Sequence, residues 1–312
     1  MSETTSKAEG ILYYPNTISI HMTDICNSRC RFCSEGSHEH MQDLVRKEEI
    51  LKYLESHDTS VWTAVNIHGG EPTIAPGLIE VIEKAKKLGY GYVILQTNAH
   101  RIGQDKEFAE RLDASGVDLY NIGFHGSNAE IMDQLTGVEG SFEKAMKGVR
   151  RIAGFHKPIR ITTVITALNY KDITSIVELA SKEGISHVNI SAMQTGGSAV
   201  PNLDMLFVSY QEAKPYIMEA VSLAETLGVK ITLEGFPFCV LEELEKYQVD
   251  WTAQRLKLLY RKMVMDDYNK FLTMTIRTFG EKCENCSKRN VCTGVYKEYV
   301  NKQGWDEFHP FE

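Results

Sequence analysis

Cys26, Cys30 and Cys33 stand at C-x3-C-x2-C spacing, directly after the apolar stretch 18–22. That places three thiolates on one short loop at the C-terminal end of a strand. Three convergent thiolates suit an iron–sulfur cluster that leaves one iron without a protein ligand, whereas closed zinc sites and ordinary ferredoxin clusters take four. An open iron is a place for chemistry. The plainer alternative is a structural zinc knuckle.

Cys283, Cys286 and Cys292 form a second run, C-x2-C-x5-C, with Cys239 upstream. Four ligands make a closed site, which reads either as structural zinc or as a second cluster. These two sets use all seven cysteines of the chain, so no free thiol is left over for other chemistry. Without a secretory signal, seven cysteines point to a reducing compartment and a cytoplasmic protein, where metal or cluster ligation outranks disulfides.

Other residues of chemical interest fall at the ends of apolar stretches. Gly69 and Gly70 allow a close backbone approach, Glu71 offers an acceptor for a cationic amine, and Pro72 stiffens the turn. Of His21, His68 and His100, His68 is expected to line a cavity, because it abuts Gly69. His125, Asp133, Thr136 and 140–142 form a polar cluster in which His125 orients substrate or handles a proton. The structural alternative is that Asp133 and Ser141 cap helices while His125 satisfies backbone groups.

Strands are expected at 17–22, 61–67, 92–96, 119–124, 160–165 and 187–191, with amphipathic helices at 77–87, 106–114, 141–153 and 172–182. The alternation predicts an α/β fold with a parallel sheet, in which strand C-terminal ends carry the functional loops. The 312 residues divide into a polar tail over 1–14, a catalytic core over 15–230 and a small extension over 231–312. The stretch 241–274 is expected to be helical, either covering the mouth of the core or packed on its wall. A net charge of −8 gives no phosphate-binding footprint, so no nucleic-acid partner is expected. No apolar run approaches the ~18 residues of a membrane span, so no membrane partner is expected either.

Taken together, the three-cysteine loop and the segment Gly69-Gly70-Glu71-Pro72, which begins 36 residues after Cys33, resemble the radical S-adenosylmethionine (radical SAM) enzymes. The resemblance covers the first two-thirds of the chain and implies a partial (β/α)6 TIM-like barrel. It implies that Cys26, Cys30 and Cys33 hold a [4Fe-4S] cluster whose fourth iron is chelated by S-adenosylmethionine. It also implies cofactor contacts from Phe32, the Gly-Gly-Glu-Pro turn, Thr97, Asn98, Asn169 and the loop containing Met193. Many relatives carry a serine where this chain has Gly123, which removes a hydroxyl contact there. The second cysteine run resembles the SPASM extension in its shortened Twitch form, with Cys239, Cys283, Cys286 and Cys292 on an auxiliary [4Fe-4S] cluster. Tyr296 stands where a longer SPASM extension has its next cysteine.

The same resemblance implies a flavodoxin- or ferredoxin-type electron donor, a 5′-deoxyadenosyl radical, and hydrogen abstraction from a substrate. With no spare cysteine to return a hydrogen atom, a net oxidation fits better than epimerisation, unless Cys239 is itself the donor. A ribosomal precursor peptide is the favoured substrate. The rival is a small molecule such as an aminocyclitol, sugar or nucleoside, to which the short length and the lack of room for an N-terminal peptide-recognition domain point. From another class, the chain reads as a non-catalytic iron–sulfur or zinc scaffold.

Overall fold

Seven short stretches alternate a residue that faces a hollow interior with an apolar one, and successive side chains of a strand point to opposite faces. The computed structural model describes residues 16–35, 46–249, 251 and 254–312; the expected tail over 1–14 lies outside them. Strands β1 (Asn16–His21), β2 (Ala64–His68), β3 (Tyr92–Thr97), β4 (Leu119–Gly123), β5 (Ile159–Val164), β6 (His187–Ser191) and β7 (Lys230–Glu234) pair in parallel, each beside the one before it in the chain. Helices α1 (Lys47–Glu55), α2 (Leu78–Leu88), α3 (His100–Gln104), α4 (Lys106–Ala114), α5 (Ala129–Thr136), α6 (Ser141–Gly154), α7 (Ile173–Lys182), α8 (Leu203–Leu206) and α9 (Tyr210–Leu227) lie in the connections.

The apolar face of the sheet meets these helices. Ile18, Ile20, Val65, Ile67, Val93, Leu95, Tyr120, Ile122, Val188 and Ile190 are buried in one continuous core with residues of α2, α6, α7 and α9. The opposite face is polar and hollow. Ser19 Oγ accepts from Asn66 Nδ2 (3.0 Å), whose Oδ1 accepts from Gln96 Nε2 (3.1 Å). Further along the sheet, Asn121 Oδ1 accepts from Thr162 Oγ1 (2.8 Å), and Asn189 bridges Thr232 (2.8 Å) and Glu234 (2.6 Å). Side chains from β1 through β7 line one interior cavity of about 320 Å³, as only a curled sheet permits. The architecture is a partial barrel.

Two expectations need correcting. The second strand starts at Ala64, not 61, because Asp58 accepts from Ser60 through its side chain and from Val61 and Trp62 through its carbonyl; this turn holds the chain out of the sheet. The stretch 241–274 is not mainly helical. It contains a 3-10 turn (Glu242–Tyr247), then β8 (Arg255–Tyr260), β9 (Met263–Met265) and a single helix, α10 (Tyr268–Thr275). β8 pairs in parallel with β1, and β9 pairs antiparallel with β8.

The sheet therefore continues beyond 230 on both flanks, with β7 at one edge and β8–β9 at the other, nine strands among the described residues. The remaining C-terminal residues form a two-stranded sheet, β10 (Arg277–Thr278) and β11 (Val295–Tyr296), followed by α11 (Lys297–Gln303). Among the described residues no helix is long and apolar enough to cross a membrane.

Candidate active site

Register decides what meets at the mouth. In the β1–β2 pair, His21 is opposite His68, and the two chains stay together beyond the strands. The Met22 amide donates to the His68 carbonyl (2.7 Å), Gly70 to Thr23 (2.5 Å) and Glu71 to Ile25 (2.8 Å). A Cβ on Gly70 would lie 2.3 Å from the Ile25 carbonyl oxygen, and one on Gly69, at φ +136°, 2.6 Å from that of Thr23. Only glycine fits at such distances. The close approach read from the sequence is thus made to the segment leading into Cys26.

Glu71 is buried and accepts four hydrogen bonds from protein groups. Its Oε1 accepts from the Thr73 amide (3.0 Å), Thr73 Oγ1 (2.6 Å) and Thr97 Oγ1 (2.6 Å), while Oε2 accepts from the Asn98 amide (2.7 Å). Burial pushes its carboxyl up, and these donors pull it back. Glu71 thereby braces the ends of β2 and β3 while still lining the cavity beside the cysteines. Asn98 extends the brace, donating from Nδ2 to Asn27 Oδ1 (2.6 Å) and Ser28 Oγ (3.2 Å). The other side of the cysteine loop rests on the end of α5, where Arg29 and Arg31 donate their amides to Thr136 and Leu135 (2.8 and 2.9 Å).

Cys26, Cys30 and Cys33 consequently line one cavity of about 360 Å³, together with Gly69, Gly70, Glu71, Thr97, Asn98 and His125. Phe32 is buried against the His125 ring, with centroids 4.4 Å apart, and also lines the cavity. His125 Nδ1 accepts from the Val164 amide (3.2 Å), and burial pushes the ring down to about 3, so it is neutral. A Cβ at Gly123 would lie 3.2 Å from His125 Nε2; the glycine leaves room for the ring. Burial pushes Cys26 up to about 12 and Cys30 well above its usual range, with the neighbouring thiols adding to both.

Four expected site residues are not among those lining the cavity. Asp133 accepts from the amides of Gly140 and Phe142 and from Ser141 Oγ, so it caps α6, the structural alternative for that residue. Asn169 makes four hydrogen bonds, accepting from Thr166 and donating to the carbonyls of His125 and Val164; it positions His125 from behind. Pro72 opens a buried 3-10 turn. Met193 packs against the group of Phe32, Leu135 and Leu206.

Sequence reasoning missed Glu35, Asn121 and Glu234 on the cavity wall, while Gln194, in the expected loop with Met193, lines it. The strand alternation carried a signal for two of them, since Asn121 and Glu234 occupy inward positions of β4 and β7. Tyr296 lines the cavity too, its hydroxyl 2.9 Å from Arg277 Nη2.

The second cysteine set also converges. Cys239, Cys283, Cys286 and Cys292 line one small pocket with Phe238, Phe279, Phe308 and Phe311, and Cys239 is pushed up to about 12 by burial and by its three neighbours. Neither set brings three sulfurs within 4.8 Å of one another; among the described residues that closeness belongs to His21, Glu35 and His68. A tetrahedral zinc with 2.3 Å bonds needs sulfurs about 3.8 Å apart. Wider-set thiols, which give up their protons when a cation takes their place, fit a polynuclear cluster better.

A family model described as the radical SAM superfamily matches residues 20–190, more than half of the chain. The chain belongs to the radical SAM superfamily. Its members are enzymes, and the superfamily implies a [4Fe-4S] cluster and S-adenosylmethionine. This radical SAM chain is 26% identical over 181 residues to a probable GTP 3′,8-cyclase of Saccharolobus islandicus, a match covering 58% of each. It thus spans a little over half the length of the curated relatives it matches. Its fold is similar to Streptococcus suis SuiB bound to precursor peptide SuiA (TM-score 0.70, 17% identity, 95% of this chain and 75% of that one). It is also similar to anSMEcpe with bound AdoMet and Cp18Cys peptide (TM-score 0.64, 16% identity, 95% and 96%).

Gly70→Ala drives a Cβ into the Ile25 carbonyl, so urea denaturation should show a loss of about 1–3 kcal/mol together with reduced iron at the Cys26 loop; an unchanged variant contradicts the contact. Acid should weaken the fold through its buried rings. Burial holds His125 and His187 down to about 3, far below the ~6.5 of the unfolded chain. Below that pH the unfolded state therefore binds protons that the folded state refuses, and stability falls toward pH 3 by about 1.4 kcal/mol per unit for each ring. Denaturation midpoints measured from pH ~7 to ~4.5 should fall less steeply in His187→Gln.

Proposed function

We propose that this chain is a radical SAM enzyme that oxidatively modifies a ribosomal precursor peptide. Cys26, Cys30 and Cys33 would hold the cluster, with Phe32, Gly69, Gly70, Thr97 and Asn98 beside the cofactor. The chemistry supplied by cluster and S-adenosylmethionine together is reductive cleavage to a 5′-deoxyadenosyl radical, which takes hydrogen from a C–H bond. A flavodoxin or ferredoxin would supply the electron.

The chain's own part is to hold and orient. The hollow polar interior leaves room below the mouth for a substrate side chain, and Asn121, Gln194 and Glu234 offer it hydrogen bonds. His125, neutral at physiological pH, offers Nε2–H rather than a positive charge, since Nδ1 already accepts from Val164. Phe32 and Gln194 line the same cavity, so a substrate that fills it would keep water from competing with the reacting bond.

The observation that carries the oxidative reading is the convergence of Cys239 with Cys283, Cys286 and Cys292 in one apolar pocket. We assign them a second [4Fe-4S] cluster in a Twitch-like extension over 231–312. Cys239 is not among the residues lining the main cavity, which favours a ligand over a hydrogen-atom donor and hence a cross-link, double bond or carbonyl over an epimer. The peptide is favoured because the likeness to SuiB and anSMEcpe extends over 95% of the chain, extension included. The second reading, a small-molecule or nucleoside substrate, draws on the GTP 3′,8-cyclase relatives, whose match covers 58% of this chain.

Replacing Cys26, Cys30 and Cys33 together by alanine should leave about four irons per chain and abolish 5′-deoxyadenosine formation from S-adenosylmethionine under reducing conditions. Continued cleavage by that variant would place the radical site elsewhere. Cys239→Ala should lower iron content or stability. If it keeps full iron and instead loses solvent-deuterium uptake into product, the enzyme is an epimerase.

A further inference from the structure

We infer that His21, Glu35 and His68 form a binding site for a divalent transition-metal cation, beside the cysteine loop but using none of its sulfurs. One ligand atom from each of the three lies within 4.8 Å of the others. His21 Nδ1 is 3.4 Å from Glu35 Oε2, and His68 Nδ1 is 4.0 Å from Glu35 Oε1. A cation with bonds of about 2.1 Å to nitrogen and oxygen sets cis donors roughly 3.0–3.4 Å apart, so a small contraction completes the site.

The backbone makes this convergence. His21 and His68 are paired across β1 and β2, so both rings must emerge on the same inner face, where their centroids are 5.7 Å apart. Glu35 arrives from the far end of the cysteine loop. His21 is fully buried, yet among the described residues its Nδ1 has no hydrogen-bond partner, a costly arrangement unless something fills it.

The other side of that ring is fixed. Nε2 is 2.7 Å from Asp24 Oδ1, and Arg261 Nε is 3.0 Å from Asp24 Oδ2. A carboxylate on the distal nitrogen is the device by which metal-binding histidines are oriented and made more basic. Tyr260 covers the ring at 4.6 Å between centroids.

Glu35 and Asp24 together outweigh Arg261 by one negative charge, which favours a cation. Two imidazoles and one carboxylate suit iron(II), manganese(II) or zinc(II) and leave coordination positions open. Those positions face the cavity lined by Cys26, Cys30 and Cys33, where an oxygen- or nitrogen-bearing group of the substrate would complete them. The cation site requires neither a peptide substrate nor the auxiliary cluster.

Manganese(II) is the probe, because it prefers nitrogen and oxygen to thiolate. The anaerobically reconstituted protein is titrated with it, and the free aqueous ion is followed by electron paramagnetic resonance, with iron and sulfide measured on the same samples. One equivalent should bind. Glu35→Gln and His68→Gln should weaken binding at least tenfold, and Asp24→Asn by about tenfold or more, with iron content unchanged. Glu35 is 32% exposed at its side chain, so its replacement leaves the core packing intact and decides the matter if His68→Gln loses iron. Absence of manganese binding by the unaltered protein, or undiminished binding by Glu35→Gln, would overturn the site and leave His21 as a ring held between Asp24 and Glu35. Iron content in these samples reports the cysteine assignment separately.

Discussion

The mouth of this barrel depends on one backbone contact, the pairing of 22–25 with 68–71 just beyond the ends of β1 and β2. Three amide–carbonyl bonds close it, and each is possible only because two glycines let one chain lie against another at distances that no Cβ tolerates. From this contact the cysteine loop departs in one direction and Glu71 turns inward in the other. Glu71 gathers the end of β3 through Thr97 and Asn98, and Asn98 returns to the cysteine loop at Asn27 and Ser28. The loop is therefore clamped from both sides by protein groups, which fixes where the three cysteines stand.

The second constraint is the polar inner face. In closed (β/α)8 barrels the interior is filled by layers of branched apolar side chains; here amides, hydroxyls and imidazoles occupy the inward positions and bond to one another across strands. Such groups are tolerable out of water only when partnered, and the ladders from Ser19 to Gln96 and from Thr232 to Glu234 supply the partners. Stability rests instead on the outer face, where the apolar half of each strand packs beneath the helices. Separating the two faces lets the interior stay hollow without weakening the sheet.

The C-terminal part is tied to the barrel rather than appended to it. β7 extends one edge and β8 the other, and Arg277 reaches from β10 to the Tyr296 hydroxyl and the Gly294 carbonyl. Gly294 in turn donates to Cys292 Sγ. A short chain of contacts thus links the wall of the main cavity to the second cysteine pocket, and Tyr296 belongs to both the wall and the chain.

Several features were legible in the sequence because they are local. The helices at 106–114 and 141–153 come within a residue of α4 and α6, since their apolar period and caps lie within the segment. The cysteine spacings and the Gly-Gly-Glu-Pro turn announced the mouth for the same reason. Anything decided by pairing between distant segments stayed hidden. β8 sits beside β1 although nearly the whole chain separates them, and its pattern alone read as helix. That Glu71 and Asn169 also act as braces was not readable, because partners such as Thr97, Asn98 and His125 come from other strands and loops. His21, Glu35 and His68 carry no motif; the β1–β2 register and the path of the cysteine loop bring them together. Local chemistry determined which residues could react, and the register of a parallel sheet decided which of them meet.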